Sequence, residues 1–410
     1  MRHALGIVAA GLLAIPFLAV AQTTSPKMFD VTVVKPDNGN IVIAPPVPAD
    51  GKVAADTILN VTLTPAGGYA LDSGYYTGKG PWFPAYFESP TPHFQVVIDQ
   101  DRQIGGSFIE KKALEGFKVI QDVVYAQPGV KKLKYDVYSP DGAKNLPCIV
   151  IIHGGGWVFN TEDIMRGLAR ELVRGGKYVV FSIDYRWIGT HDGDKNPNTM
   201  ADIIGDVYGA IAHIQEHAKE YGADPTRMAV TGDSAGGHLS AAAIDMMGEI
   251  GDGGFGVKEG VYQFKPTYMP AGKSIEQVRR EITEAIKVSA PSYGVFSDRA
   301  LARVEGTNAS MAAVKAIAPE DHIPNIKERG VPQFLLRGSQ DPLIRDEEVR
   351  GYADALKAAG QRAEYVQVEG ASHAFFDWKP DAETKATFAK YGVPYAAKME
   401  AFFDSVIYSK

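Results

Sequence analysis

The stretch Val230–Ser240, VTGDSAGGHLS, decides how the fold is read. Ser234 stands between Gly232 and Gly236, after the apolar run Met228–Val230 and before a small-residue helical pattern. Two readings compete for it. Serine is a favoured helix N-cap, because its hydroxyl accepts from the first unpaired N–H groups of a helix. Gly-x-Ser-x-Gly between a strand and a helix is also the pattern of a nucleophile elbow, a turn tight enough to need small residues on both sides of the serine. Five residues with three fixed arise by chance, so the rest of the chain must choose.

A serine hydroxyl is a weak nucleophile near neutral pH. It needs a base within hydrogen-bond reach and a group that orients the base. It also needs N–H donors for the oxyanion that forms on attack. The chain supplies a candidate for each. His153–Trp157, HGGGW, closes the apolar run Leu146–Ile152, and its three glycines leave backbone N–H groups uncovered. Gly155 and Gly156 are the expected donors, with Trp157 as the alternative, and Ala235 completes the set. A plain glycine turn is the competing reading. For the base, His373 in EGASHAFF follows the last strand candidate. His153 reads as an orienting loop residue, His238 points along the helix after Ser234, and His213 and His217 read as solvated helix residues. His322 reads as structural. For the acid, Asp341 in LLRGSQDPLI follows the strand Gln333–Gly338. Asp before Pro is also a good helix start. Asp346 and Glu347, which read as first-turn helix carboxylates, are the fallback.

Outward from these motifs the chain alternates strand and helix. FKVIQDVVY and LKYDVYSP predict an antiparallel opening pair around the turn AQPGVKK. LPCIVIIH, YVVFSIDY, RMAVTG, IKVSA, QFLLRG and AEYVQVEG follow, several as continuous apolar runs suited to parallel strands buried on both faces. Eight strands, the later ones separated by helices, predict a doubly wound α/β sheet over residues 113–410, with reactive groups at the carboxyl ends of the strands. The segment 248–281 is too long for a plain connection, for which roughly two to six residues are typical. Its aromatics Phe255, Tyr262, Phe264 and Tyr268 suggest a cap over the site, with Tyr262, Phe264 and Trp157 as substrate contacts. A surface elaboration away from the chemistry is the alternative.

Residues 22–112 read differently. FDVTVV, TILNVTLTP, FQVVID and QIGGSFIE are separated by turn clusters, and no helical period of useful length intervenes. A small all-β or β-grasp-like domain is expected. The aromatic stretch Tyr75–Phe87, YYTGKGPWFPAYF, reads as the small domain's core or its interface with the next domain, or else as an exposed binding patch. KKALEG, Lys111–Gly116, is the expected junction. Ahead of this domain, MRH, the apolar run from Ala4 to Val20 and the Ala19-Val20-Ala21 site predict a secretory leader over residues 1–21, hence a secreted or periplasmic protein. A membrane anchor is the alternative, but Pro16 interrupts the short run.

Composition bounds the function. The chain has 410 residues, 45% hydrophobic and 22% charged, with a net charge of −7. That balance argues against a nucleic-acid partner, which needs a Lys/Arg excess. A single cysteine, Cys148, permits no internal disulfide. No CxxC or HExxH pattern suggests a metal, and serine chemistry needs no metal or organic cofactor.

The four parts fall in the order nucleophile, acid, base, with the glycine loop upstream. That arrangement resembles the α/β-hydrolase superfamily. HGGGW with GDSAGG, and DYR at Asp184–Arg186, resemble hormone-sensitive-lipase-like carboxylesterases and acetyl or feruloyl esterases over about three-quarters of the chain. The resemblance implies Ser234, Asp341 and His373 as a catalytic triad, Gly155, Gly156 and Ala235 as oxyanion donors, and an ester substrate, small or linked to plant polysaccharide. The chain departs from that pattern at Trp187–Pro197, WIGTHDGDKNP, and in carrying its insertion after the nucleophile helix. The first domain's pattern VTLTPAGGYALDSG…FQVVIDQDRQIGGSF resembles the internalin-type B repeat of cell-surface proteins, which implies contact with a cell surface or polysaccharide. A serine peptidase of the prolyl-oligopeptidase kind, and a surface-binding protein with a relic hydrolase domain, remain open as alternatives.

Overall fold

The computed structural model describes residues 26–80, 84–258, 260–305 and 310–409. The expected leader lies outside these residues, as do residues 81–83 of the aromatic stretch. No helix among the described residues is long and apolar enough to cross a membrane.

The chain begins with eight strands: β1 (Met28–Val33), β2 (Gly39–Ala44), β3 (Lys52–Ala54), β4 (Ile58–Pro65), β5 (Tyr69–Lys79), β6 (Pro84–Ser89), β7 (His93–Val97) and β8 (Arg102–Glu110). They form a five-stranded sheet in the order β3-β1-β8-β5-β6 and a three-stranded sheet, β2-β4-β7. Alternate residues of the strands turn inward, as a half-buried sheet requires. Leu59, Val61 and Leu63 of β4 and Val96 of β7 meet Val31 of β1 and Ile104 of β8 in one buried core. The sheets approach closely because Gly74 and Gly106 leave room: a Cβ on Gly74 would lie 2.3 Å from the Phe94 ring.

A single helical turn, Lys111–Leu114, leads into the second part. Its strands are β9 (Phe117–Ala126), β10 (Leu133–Pro140), β11 (Leu146–Ile152), β12 (Val179–Ile183), β13 (Ala223–Asp233), β14 (Ile286–Ser292), β15 (Gln333–Gly338) and β16 (Ala363–Val368). They make one sheet in the order β16-β15-β14-β13-β11-β12-β10-β9. β10 pairs antiparallel with both of its neighbours, and every other pairing is parallel. This is the expected α/β-hydrolase sheet with its antiparallel opening pair. The helices are α1 (Arg166–Arg174), α2 (Met200–His217), α3 (Ala235–Asp245), α4 (Ile275–Ala285), α5 (Asp298–Glu305), α6 (Met311–Ala316), α7 (Asp346–Ala358), α8 (Ala382–Thr387) and α9 (Val393–Ile407). β12 is buried along its whole length, and six of the seven residues of β11 are buried, which explains their unbroken apolar runs.

The insertion after α3 corrects the expected cap. It packs against α2, and none of its residues lines the cavity that holds Ser234. Thr267 N–H donates to Gly205 of α2 at 3.0 Å, and a Cβ on Gly205 would meet the Lys265 carbonyl at 2.4 Å. Its aromatics pack inward instead: Phe255 stacks at 5.4 Å on the fully buried Phe264, which joins the core of the α/β part, and meets the Tyr262 ring at 5.2 Å. An excursion of this length must bury apolar surface to be ordered, and these rings supply it.

Candidate active site

Four loops converge at the carboxyl edge of the sheet. β13 delivers Ser234 directly, at the N-cap position of α3, with φ +53° and ψ −116°. That is a sparsely populated backbone region for a residue with a side chain, and such strain persists only where the surroundings hold it. They do so here through close backbone contact. A Cβ on Gly236 would fall 2.0 Å from the Ile152 carbonyl, and one on Gly232 2.3 Å from the Gly236 carbonyl. The serine hydroxyl makes no capping bond. It lies instead 2.9 Å from His373 Nε2.

His373 follows β16, and its Nδ1 donates to Asp341 Oδ2 at 2.8 Å. That bond fixes the tautomer: Nδ1 carries the proton, so Nε2 is free to accept from Ser234. Asp341 follows β15. Its Oδ1 accepts from the N–H groups of Leu343 and Ile344 at 2.9 and 3.0 Å. Burial acts against its charge, but the His373 ring and those two N–H groups outweigh burial and hold the carboxyl below its usual range. Arg337 braces the same loop, donating to the Ile344 and Asp341 carbonyls. Asp341 does not start α7. That helix begins at Asp346, which pairs with Arg350 at 2.9 Å, and Glu347 is a first-turn residue beside it.

The glycine loop follows β11. Gly155 and Gly156 have φ +119° and +57°, and both line the cavity in front of Ser234. Ala235 N–H, as the first residue of α3, is one of the donors a helix leaves unpaired. The loop is fastened from below. Gly154 N–H donates to Asp233 Oδ1 at 2.6 Å, His153 Nε2 donates to Asp184 at 3.1 Å, and Tyr185 donates to the His153 carbonyl at 2.8 Å. The DYR sequence thus supports the loop, with Arg186 bonded to Asp206. Asp233 escaped the sequence reading. Its carboxyl sits well above its usual range, through burial first and Asp377 second, and its position between Gly232 and Ser234 was the only signal.

Three expected contacts are corrected. Trp157, Tyr262 and Phe264 do not line the cavity. Trp157 is buried, with its ring edge on to His238 at 5.5 Å, and so packs the loop against α3. Phe264 is part of the core of the α/β part, and Tyr262 packs on Phe255 within the insertion. His238 donates to the Ile317 carbonyl at 2.8 Å, and burial pushes its ring down to about 4. His213 accepts from or donates to the Tyr135 hydroxyl at 3.0 Å, and His217 pairs with Glu220.

The cavity, of about 500 Å³, is completed from elsewhere. Phe159, Asn160, Thr161 and Ile164 of the β11–α1 connection and Leu343, Ala374, Asp377 and Lys379 of the acid and base loops line it, together with Pro84, Tyr86 and Glu88 of β6. Pro84 and Tyr86 belong to the aromatic stretch read as the small domain's core, its interface with the next domain or a binding patch. Among the described residues, one acidic group is close enough to hold a cation: Asp122, Asp136 and Glu162. Lys134 already reaches into it, 3.0 Å from Glu162.

Residues 149–377 match a family described as alpha/beta hydrolase fold. Carboxylesterase NlhH of Mycobacterium tuberculosis is 34% identical over 133 residues, 32% of this chain and 40% of that protein. Carboxylic ester hydrolase LipN of the same organism is 30% identical over 249 residues, 58% of this chain and 60% of that protein. The chain therefore spans less than two thirds of each relative's length. Among solved structures, the apo form of Thermogutta terrifontis esterase 2 superimposes with a TM-score of 0.51 at 25% identity, covering 71% of this chain and 96% of that one.

Proposed function

Because the chain belongs to the alpha/beta hydrolase fold family through residues 149–377, we propose that it is a serine carboxylesterase acting through an acyl-enzyme. The observation that carries this reading is His373, bonded at once to Asp341 at 2.8 Å and to Ser234 at 2.9 Å beside an open glycine loop. Ser234 Oγ attacks the ester carbonyl carbon as its proton passes to His373 Nε2. The carbonyl oxygen takes the negative charge and is held by the N–H groups of Gly155, Gly156 and Ala235. Collapse breaks the ester bond, and the leaving alkoxide takes the proton from Nε2 and departs as the alcohol. Water then attacks the acyl carbon, giving its proton to His373. The acid leaves, and Ser234 recovers its proton. Asp341 keeps the imidazole in the required tautomer throughout.

The finer reading is an exported enzyme cleaving acetyl or feruloyl esters of plant polysaccharide. Its supports are the leader pattern of residues 1–21 and the family resemblance of HGGGW and GDSAGG. Hydrolysis of p-nitrophenyl acetate, methyl ferulate and acetylated xylan, set against a peptide anilide, tests both levels. Ester turnover lost in Ser234→Ala is expected. Turnover of the anilide alone would replace the esterase reading with the peptidase one.

A further inference from the structure

The cavity has a wall made by a part of the chain about 150 residues before the nucleophile. Pro84, Tyr86 and Glu88 alternate along β6, so the period of a strand puts all three on one face, and that face lines the cavity. β6 is the edge strand of its sheet, and its one paired neighbour is β5. We infer that the N-terminal β-module is the cap of this site, with Tyr86 as a specificity-determining residue for esters bearing one bulky, mainly apolar group. The inference rests on the ester-hydrolase reading above and names the substrate class of that same site.

The wall is held rigidly. Arg166, the first residue of α1, donates to Glu88 Oε1 at 3.1 Å and Oε2 at 2.6 Å, and to Asp72 of β5 at 3.1 Å. Asp72 also takes Arg170 at 2.8 Å and the Trp378 indole N–H at 2.9 Å. The side chains of Arg166, Asp72 and Glu88 are almost completely buried. A forked guanidinium on a carboxylate fixes orientation as well as distance. Trp378 follows His373 by five residues, so the bonds that seat β5 and β6 also reach the segment that carries the base. The wall is thus built into the site, and the insertion after α3 is not needed to cover it.

Size and lining set the substrate class. About 500 Å³ lies within the range of pockets that enclose a whole small molecule and far exceeds an acetyl group. Phe159, Ile164 and Leu343 line the same cavity as Tyr86 and give it apolar surface. An aryl ring or a medium acyl chain buries that surface, whereas two small groups leave it wet.

The test compares kcat/KM for ethyl acetate with kcat/KM for phenyl butyrate and 1-naphthyl acetate in the full chain. Tyr86→Ala should lower the bulky-to-small ratio about tenfold, and Tyr86→Phe should restore it. Val42→Ala, on the exposed face of the other sheet, should leave the ratio at its wild-type value. Tyr86→Trp alters the wall without removing a ring and must also move the ratio. A ratio unmoved by both Tyr86→Ala and Tyr86→Trp overturns the inference while leaving the esterase reading intact. A wild-type chain inert towards every ester overturns the esterase reading and this inference with it.

Discussion

Arg166 of α1 donates from Nε to Asp72 of β5 at 3.1 Å, with both side chains withdrawn from solvent. Burial alone would raise the Asp72 carboxyl, but Arg166, Arg170 and Lys385 outweigh it and hold it well below its usual range. A carboxyl with a depressed folded value contributes stability that is present above its unfolded value, about 3.9, and lost as pH falls through the folded one. Thermal unfolding should therefore show a steep acid limb below about pH 4. Asp72→Asn should flatten that limb and cost roughly 3–5 kcal/mol at neutral pH, because Arg170 and Lys385 lose their buried counter-charge and Arg166 keeps only Glu88. An acid limb as steep in Asp72→Asn as in the wild type would remove this cluster from the account.

Ser234 and His373 act as a unit in the proposed mechanism. Each of Ser234→Ala and His373→Ala should lower kcat by at least about a hundred-thousandfold, and the double variant should be no slower than either. Asp341→Asn should cost about ten-thousandfold, since Asn stabilises the wrong imidazole tautomer. Stopped-flow and long-time-course assays on p-nitrophenyl acetate cover that range. Independent, multiplying losses would mean the two residues do not share one proton path.

Gly155 offers a geometric check. Its φ of +119° strains any L side chain, and an added Cβ would lie 2.2 Å from the Phe159 carbonyl. Gly155→Ala must displace the loop. We expect kcat to fall about a hundred- to a thousandfold, with circular dichroism unchanged. Full activity in this variant would take the glycine loop out of the oxyanion site.

His238 lies one turn along α3 from the serine and is chemically silent in this scheme. Buried and held near 4, it stays neutral in the folded protein, while in the unfolded chain it takes a proton near about 6.5. Its effect on stability is therefore unfavourable to the fold as pH drops from about 6.5 towards 4. His238→Gln should keep turnover of the wild-type order and lose less of its melting temperature between pH 7 and pH 5. Abolished turnover in that variant would reopen the choice of base.

The triad was legible because each member ends a parallel strand, and β13, β15 and β16 announce themselves as apolar runs. Order along the chain then did what no single motif could. The wall of the cavity was not legible. Phe255, Tyr262 and Phe264 have the composition of a pocket lining, yet the same rings serve equally well to pack an insertion inward, and periodicity cannot tell the two apart. Tyr86 was visible only as one ring in an aromatic stretch. What singles it out is the docking of β6 against the β11–α1 connection, fixed by Asp72, Glu88 and Arg166, charges that no motif pairs in the sequence. Asp233 was hidden for a related reason: the second letter of Gly-x-Ser-x-Gly carries no requirement until the Gly154 N–H is seen to donate to it.

The buried core of the eight N-terminal strands shares no residue with the core beneath Ser234. β6 contributes no residue to either core, and it lies at a sheet edge with one partner strand. Positions 84 and 86 can therefore vary in size without opening a hole in either interior and without moving the backbone that strains the serine. Such an arrangement separates what must stay constant from what is free to drift. A saturation library confined to those two positions should yield mostly folded variants, and it is the natural starting point for redirecting this scaffold by laboratory selection.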